Sequence, residues 1–257
     1  MQSLPASEEP VSLTPRIHNS LAGHALYLDI DGTLVDIAPA PERVVVPPET
    51  VPLLQRLSAK LEGAVAFVSG RTIASIDALF QPLQLPAVGV HGGEIRLNGE
   101  RVIVDESLVA ELERALPLLR EAIAPLLGVW LEDKRSAVAL HYRTVPERGR
   151  EVLKVAELVV AGLGPAFATL VGKCVVEIRP RHLTKGAGMR RLMEQAPFRG
   201  RSPIFAGDDV TDEDAFELVN QLGGISVRVG AATAVPTAAS YSLADPDQLR
   251  RWLLEIA

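Results

Sequence analysis

The chain has 257 residues, 47% of them hydrophobic and 23% charged, with a formal net charge of -6, which is the profile of a globular protein of one large or two modest domains. That charge leaves no basic footprint for nucleic acid, no apolar stretch approaches the roughly 20 residues that span a bilayer, and a single cysteine, Cys174, allows neither a disulfide framework nor a thiolate metal cluster within one chain. These exclusions favour small-molecule chemistry in a reducing, cytoplasmic setting, with no nucleic-acid or membrane partner.

Met1 to Ser20 carries Pro5, Pro10 and Pro15 among polar residues and lacks the apolar core of a secretory signal, so residues 1–20 are expected to form a loose arm. From Ala25 a short continuous apolar run predicts a buried strand that ends at Asp29-Ile30-Asp31-Gly32. A helix is expected from about Pro48 to Leu61. A second strand from Ala64 to Val68 then ends in Ser69-Gly70-Arg71, with a helix from about Thr72. Such alternation implies parallel strands joined by crossover helices. Asn98-Gly99, between Glu94 to Leu97 and Val102 to Val104, signals a tight hairpin.

The middle of the chain changes texture. A long helix from Ser107 to about Leu127, strands near Val129 to Glu132 and Ala137 to Tyr142, a helix from about Glu147 to Ala161, and strands near Ala166 to Val171 and Val175 to Ile178 suggest a second α+β unit. It is expected at residues 105–179, inserted into a core made of 21–104 and 180–257. Cys174, in the run Lys173-Cys174-Val175-Val176, reads as a small buried hydrophobe. The first pattern then returns. Pro203 to Ala206 is a strand ending in Gly207-Asp208-Asp209, a helix follows from about Asp212, and Ile225 to Val229 is a further strand. The fold class expected is α/β, a doubly wound parallel-sheet (Rossmann-like) core with an inserted α+β domain.

Ligands of open α/β sheets bind outside the carboxyl ends of the strands, so the polar clusters at three strand exits can converge on one crevice. Asp29 and Asp31 could divide two tasks there, one carboxylate attacking and the other moving a proton. Asp208, Asp209 and Asp212 add carboxylates that would repel one another without a cation, and hard oxygen ligands suit magnesium. Ser69 and the backbone N–H of Gly70 can bind phosphate oxygens at a helix start, and Lys185, after Thr184, adds positive charge. Singly, each feature has a commoner bland reading: a solvated acid pair, a helix cap, a surface lysine. The ordered set of all four segments is what points to phosphate-ester chemistry.

That set resembles the haloacid dehalogenase superfamily of phosphotransferases and, within it, the trehalose-phosphate phosphatases. The resemblance runs from about Ala25 to the C-terminus. Its motifs are Leu28 to Leu34 (LDIDGTL), Ser69 to Arg71, Gly89 to Glu94 (GVHGGE), Glu132 to Lys134 (EDK), His141 to Arg143 (HYR), Gly172-Lys173, Glu177 to Pro180 (EIRP), Lys185-Gly186 and Asp208 to Phe216 (DDVTDEDAF). The resemblance implies that Asp29 is the nucleophile and Asp31 the general acid and base. Magnesium would be held by Asp29, the backbone carbonyl of Asp31 and Asp208, with Asp209 and Asp212 in support. Ser69 and Lys185 would bind the transferring phosphoryl group and Arg71 would buttress the site. The insert would be a cap whose Glu132, Lys134, Arg143, Lys173 and Glu177 contact the sugar of a small sugar-phosphate substrate. His91 and His141 are assigned no role beyond structure.

Three competing readings are weighed. A sucrose-phosphate or mannosylglycerate-phosphate phosphatase would share the core but differ in the cap motifs. A non-catalytic phosphoacceptor module would need no insert and about half this length. A scaffold with a dead site is at odds with the intact catalytic set.

Overall fold

The first strand, β1 (His24–Leu28), owes its position to its composition: Ala25, Leu26, Tyr27 and Leu28 are apolar on both faces and all are buried. In this computed structural model residues 21–38, 43–231 and 236–257 are described, and the expected N-terminal arm lies outside them. The chain continues through α1 (Thr50–Lys60), β2 (Val65–Val68), α2 (Ile73–Phe80), β3 (Ala87–Gly89), β4 (Glu94–Leu97) and β5 (Glu100–Ile103). Next come α3 (Glu106–Ile123), β6 (Trp130–Asp133), β7 (Val138–His141), α4 (Gly149–Leu163), β8 (Phe167–Gly172) and β9 (Val175–Pro180). It ends with α5 (Lys185–Met193), β10 (Ser202–Gly207), α6 (Glu213–Gln221), β11 (Ile225–Val229), β12 (Tyr241–Leu243) and α7 (Pro246–Ile256).

The strands form two sheets. The larger has the order β12-β11-β10-β1-β2-β3-β4-β5, parallel from β12 to β3 and antiparallel in the β3-β4-β5 extension. The chain leaves β1 towards β2 and β3, then returns on the other side of β1 through β10, β11 and β12. Strand order therefore reverses between β1 and β10, and a crevice opens where their exits diverge. Asp29 follows β1 and Asp208 follows β10, so the topology alone brings two acidic exits side by side. The backbone N–H of Asp29 donates to Ala206 O of β10 at 3.0 Å.

The smaller sheet has the order β6-β7-β9-β8 and is wholly antiparallel. Apolar side chains of α3 (Leu112, Leu116, Leu119) and α4 (Val152, Ala156, Val159) pack with Leu140, Val176 and Ile178 of the sheet in a core separate from that of the larger sheet. Each such side chain, fully buried, contributes about 1.5–3 kcal/mol, so this unit carries its own core. It leaves the larger sheet after β5 and rejoins it before α5.

One local expectation changes. Cys174 is half-buried rather than buried, in the tight turn between β8 and β9 with φ of 61°. The helix expected from about Thr72 is α2, which begins at Ile73, where Thr72 caps it by accepting from Ser75 N at 3.2 Å. Glu94, buried on β4, also accepts from Ile73 N through Oε2 at 2.8 Å, and its Oε1 takes Arg101 at 2.6 Å.

Candidate active site

Asp29 is 4% exposed, and both of its oxygens are occupied. Thr33 Oγ1 donates to Oδ2 at 2.9 Å and Lys185 Nζ to Oδ1 at 2.8 Å. Lys185 is the first residue of α5, held there because Thr184 caps the helix by accepting from Ala187 N at 3.1 Å. Its ammonium also donates to Asp212 Oδ1 at 2.6 Å. Asp212 Oδ2 accepts from the backbone N–H groups of Asp208 and Asp209, both at 3.0 Å. Asp209 and Asp212 form a reciprocal capping box at this turn, which sets the direction in which Asp208 leaves β10.

Asp31, two residues past Asp29, is gripped by Arg71, whose Nε and Nη2 donate to its two oxygens at 2.6 Å each. Arg71 Nη1 donates to Ser75 Oγ at 3.2 Å, which keeps the guanidinium in plane with that carboxylate. Ser69 follows β2, is buried, and accepts from Arg71 N through Oγ at 3.2 Å. The loop after β1 turns at Gly32, whose φ is 83°. A Cβ there would lie 2.2 Å from Asp208 Oδ2, so only glycine lets the two acidic exits approach.

The second sheet stands over this crevice with its charged residues facing down. Lys134 Nζ donates to Glu177 Oε1 at 2.6 Å and to Gly70 O at 3.1 Å. Glu132 takes His141 Nε2 at 2.9 Å, and Trp130 stacks on that imidazole with centroids 3.9 Å apart. Arg143 Nη1 donates to Ala38 O at 2.7 Å, and Lys173 Nζ reaches Asp208 Oδ2 at 3.3 Å. Glu177 is 5% exposed and the Lys134 side chain 11%, so a solvated strand face does not describe these two, whereas Arg143 and Lys173 are exposed.

Asp29, Asp31, Ser69, Gly70, Arg71, Glu132, Lys134, Arg143, Lys173, Glu177, Lys185, Asp208 and Asp209 all line one cavity of about 240 Å³. Asp212 stands behind it. Residues the sequence reading left without a role also belong here: Thr33 and Ser75 through their hydrogen bonds, and His91 and His141 as lining residues. Thr33 had a signal in its spacing, four residues after Asp29. The others depend on segments that meet only in the fold.

Burial raises Asp29 and Asp208 above the ordinary carboxylate range, with Lys185 and, at Asp208, also Lys173 opposing the rise and neighbouring aspartates adding to it. Burial would lower Lys185, but Asp212 and Asp29 hold it well above the usual lysine value. Burial alone would raise Glu177; Lys134 and His91 outweigh it and hold its carboxyl far below the usual range. Oxygens of Asp29, Asp208 and Asp212 lie within 4.8 Å of one another, a grouping that could hold a metal ion. Among the described residues Asp212 accepts three hydrogen bonds, from Lys185 and two backbone N–H groups, whereas Asp29 accepts two and Asp208 one, so Asp29 and Asp208 keep more free acceptor sites.

A parallel sheet that gathers its polar side chains at the exits of three neighbouring strands, under an inserted second sheet, is the architecture of the capped phosphatases of the haloacid dehalogenase superfamily, and the chain is a member of that class. Residues 27–247 match the sequence profile of the trehalose-phosphatase family, and the chain belongs to that family, whose members are phosphoric monoester hydrolases. It is 41% identical over 247 residues to the trehalose-6-phosphate phosphatase of Escherichia coli K12, covering 95% of this chain and 90% of that protein. It is 44% identical over 231 residues to a probable trehalose-phosphate phosphatase of Sinorhizobium fredii NGR234, covering 89% and 87%. The solved C-terminal domain of the Candida albicans trehalose-6-phosphate phosphatase superposes with a TM-score of 0.78 over 91% of this chain and 92% of that one; at 22% identity it speaks for the fold. Among the described residues no helix is long and apolar enough to cross a membrane.

Proposed function

We propose that the protein hydrolyses trehalose 6-phosphate to trehalose and phosphate, in the cytoplasm, through a phosphoaspartate on Asp29. The observation that carries this reading is the meeting, in one cavity, of a phosphate-ester site built from the strand exits with the charged underside of the second sheet. Residues 105–179 act as the cap, and 21–104 with 180–257 as the catalytic core.

The donor set fits a hard divalent cation: a buried and a partly buried carboxylate at neighbouring strand exits carry like charge that Lys185 offsets only in part. Asp29, Asp208 and the backbone carbonyl of Asp31 would hold magnesium. When bound, it supplies positive charge that reduces repulsion between the attacking carboxylate and the phosphate dianion.

The chain's own residues do the rest. Ser69 and Lys185 bind phosphoryl oxygens, and Lys185 holds Asp29 in place through its 2.8 Å contact. A carboxylate oxygen of Asp29 bonds to phosphorus as the bond from phosphorus to the sugar oxygen breaks, and Asp31 gives that oxygen a proton. The incoming phosphate competes for the Arg71 guanidinium, which frees Asp31 to carry the proton. Asp31 then takes a proton from water, whose oxygen attacks the acyl phosphate and returns Asp29 as a carboxylate. Glu132, Lys134, Arg143, Lys173 and Glu177 bind sugar hydroxyls by charge-assisted hydrogen bonds. Initial rates on trehalose 6-phosphate, sucrose 6-phosphate and glucose 6-phosphate test the substrate assignment. Preference for the first is expected, and equal or reversed rates contradict it.

A further inference from the structure

His91 sits at the seam between the core and the second sheet, and the core is strained to put it there. Val90 and His91 follow β3 with φ of 47° and 51°, in the left-handed region that costs a β-branched residue most. The turn is stitched to the loop after β2 from both sides: His91 N donates to Ser69 O at 3.1 Å and Val90 N to Arg71 O at 2.9 Å. The imidazole lies directly on Gly70, where a Cβ would come within 2.4 Å of His91 Nε2. Across the seam that same nitrogen is 3.2 Å from Glu177 Oε2.

The ring of contacts closes on itself. Glu177 holds Lys134, and Lys134 holds the carbonyl of Gly70, the residue beneath His91. His91 Nδ1 is buried and makes no hydrogen bond among the described residues, and Glu177 Oε2, buried as well, has the His91 imidazole as its polar neighbour. Unsatisfied buried polar atoms are rare and costly. Both side chains line the cavity.

We propose that His91 is a positioning residue for substrate recognition: seated on Gly70 of the phosphate loop, it fixes the rotamer of Glu177 so that this carboxylate is held in place to meet a sugar hydroxyl. The imidazole thereby joins the contact of Lys134 with Gly70 O in aligning the cap to the phosphate site. This rests on the sugar-phosphatase reading above and adds a residue to it.

The test compares His91→Asn with His91→Gln. Asparagine tolerates the left-handed backbone but is too short to reach Glu177, whereas glutamine restores a donor at the reach of Nε2. The Asn variant should lose roughly tenfold or more in kcat/KM on trehalose 6-phosphate beyond whatever it loses on p-nitrophenyl phosphate, and the Gln variant should recover most of that difference. In a Glu177→Gln background, His91→Asn should cause little further loss, because both changes break one interaction. Equal losses on both substrates, failure of Gln to rescue, no loss at all, or additive losses overturn the proposal. A wild-type enzyme that prefers another sugar phosphate overturns only the substrate assignment, and the same comparison run with that substrate still decides His91.

Discussion

Lys185 donates to Asp212 Oδ1 at 2.6 Å, both side chains being at most 3% exposed, while the other oxygen of Asp212 holds the backbone at Asp208. Asp212 therefore ties the phosphate-binding lysine to the exit of β10. Asp212→Ala would leave a buried ammonium half-paired, and breaking such a pair costs about 3–5 kcal/mol. We predict lower thermal stability for Asp212→Ala. For Asp212→Asn, which keeps the shape, we predict about 100-fold lower turnover from misplacement of Lys185 and Asp208. Thermal unfolding and steady-state rates check this, and wild-type rates for Asp212→Asn would contradict it.

Arg71 reaches Asp31 through two parallel bonds, a geometry lysine cannot reproduce. Arg71→Lys should therefore lower turnover by about tenfold or more on every phosphate ester, since it acts at the proton-transfer group rather than at the sugar. A loss confined to trehalose 6-phosphate would move Arg71 from the chemistry to substrate recognition.

The cap residues should behave differently from one another. Among the described residues Glu177 has Lys134 and His91 as its hydrogen-bond or ion-pair partners, so Glu177→Gln is expected to cost about tenfold on trehalose 6-phosphate and less on p-nitrophenyl phosphate. Lys173 also reaches Asp208, and Lys173→Ala should impair both substrates, the sugar phosphate more. Rates on the two substrates side by side decide it; equal losses for Glu177→Gln would return that residue to the fold.

Stability should depend on pH and on divalent cation together. Without a cation, folded Asp29 and Asp208 are raised from 3.8 to about 6 and about 7, chiefly by burial. The folded protein then keeps protons that the unfolded chain has already released, so stability falls as pH rises through that window. A cation at these carboxylates replaces the protons. Magnesium should accordingly raise the unfolding temperature more at about pH 8 than at about pH 5. Calcium, which takes more ligands at longer distances, should stabilise the fold yet support turnover poorly. Thermal melts in chelator, magnesium and calcium check this; a magnesium effect equal at both pH values, or full activity in chelator, would count against it.

Legibility in the sequence followed the strength of local signals. Strand β1 and its acidic exit stood out because a run apolar on both faces stops abruptly at Asp29. The hairpin was readable because Asn98 and Gly99, with φ of 52° and 80°, are residues that accept such angles. Strands β3 and β12, three residues each, are too short for periodicity to register. Helix α7 did carry a signal that was passed over: Asp245 as N-cap, Pro246 in the first turn, and Leu249, Trp252 and Leu253 on one buried face. The grip of Arg71 on Asp31 joins residues 40 apart, and that of Lys134 on Glu177 joins residues 43 apart. The first pair exists only once β2 lies beside β1, and the second only once β6 and β9 flank β7 in the smaller sheet, so nothing in a local window marks them.

The most direct measurement is phosphate release from trehalose 6-phosphate by wild type and Asp29→Asn, each with magnesium and with chelator. An amide keeps the shape of Asp29 but loses both the nucleophile and a charge for the cation. Release by wild type with magnesium alone, and none by a folded Asp29→Asn, is the result expected. Release by Asp29→Asn, or by wild type in chelator, or none from wild type with magnesium, would contradict the account.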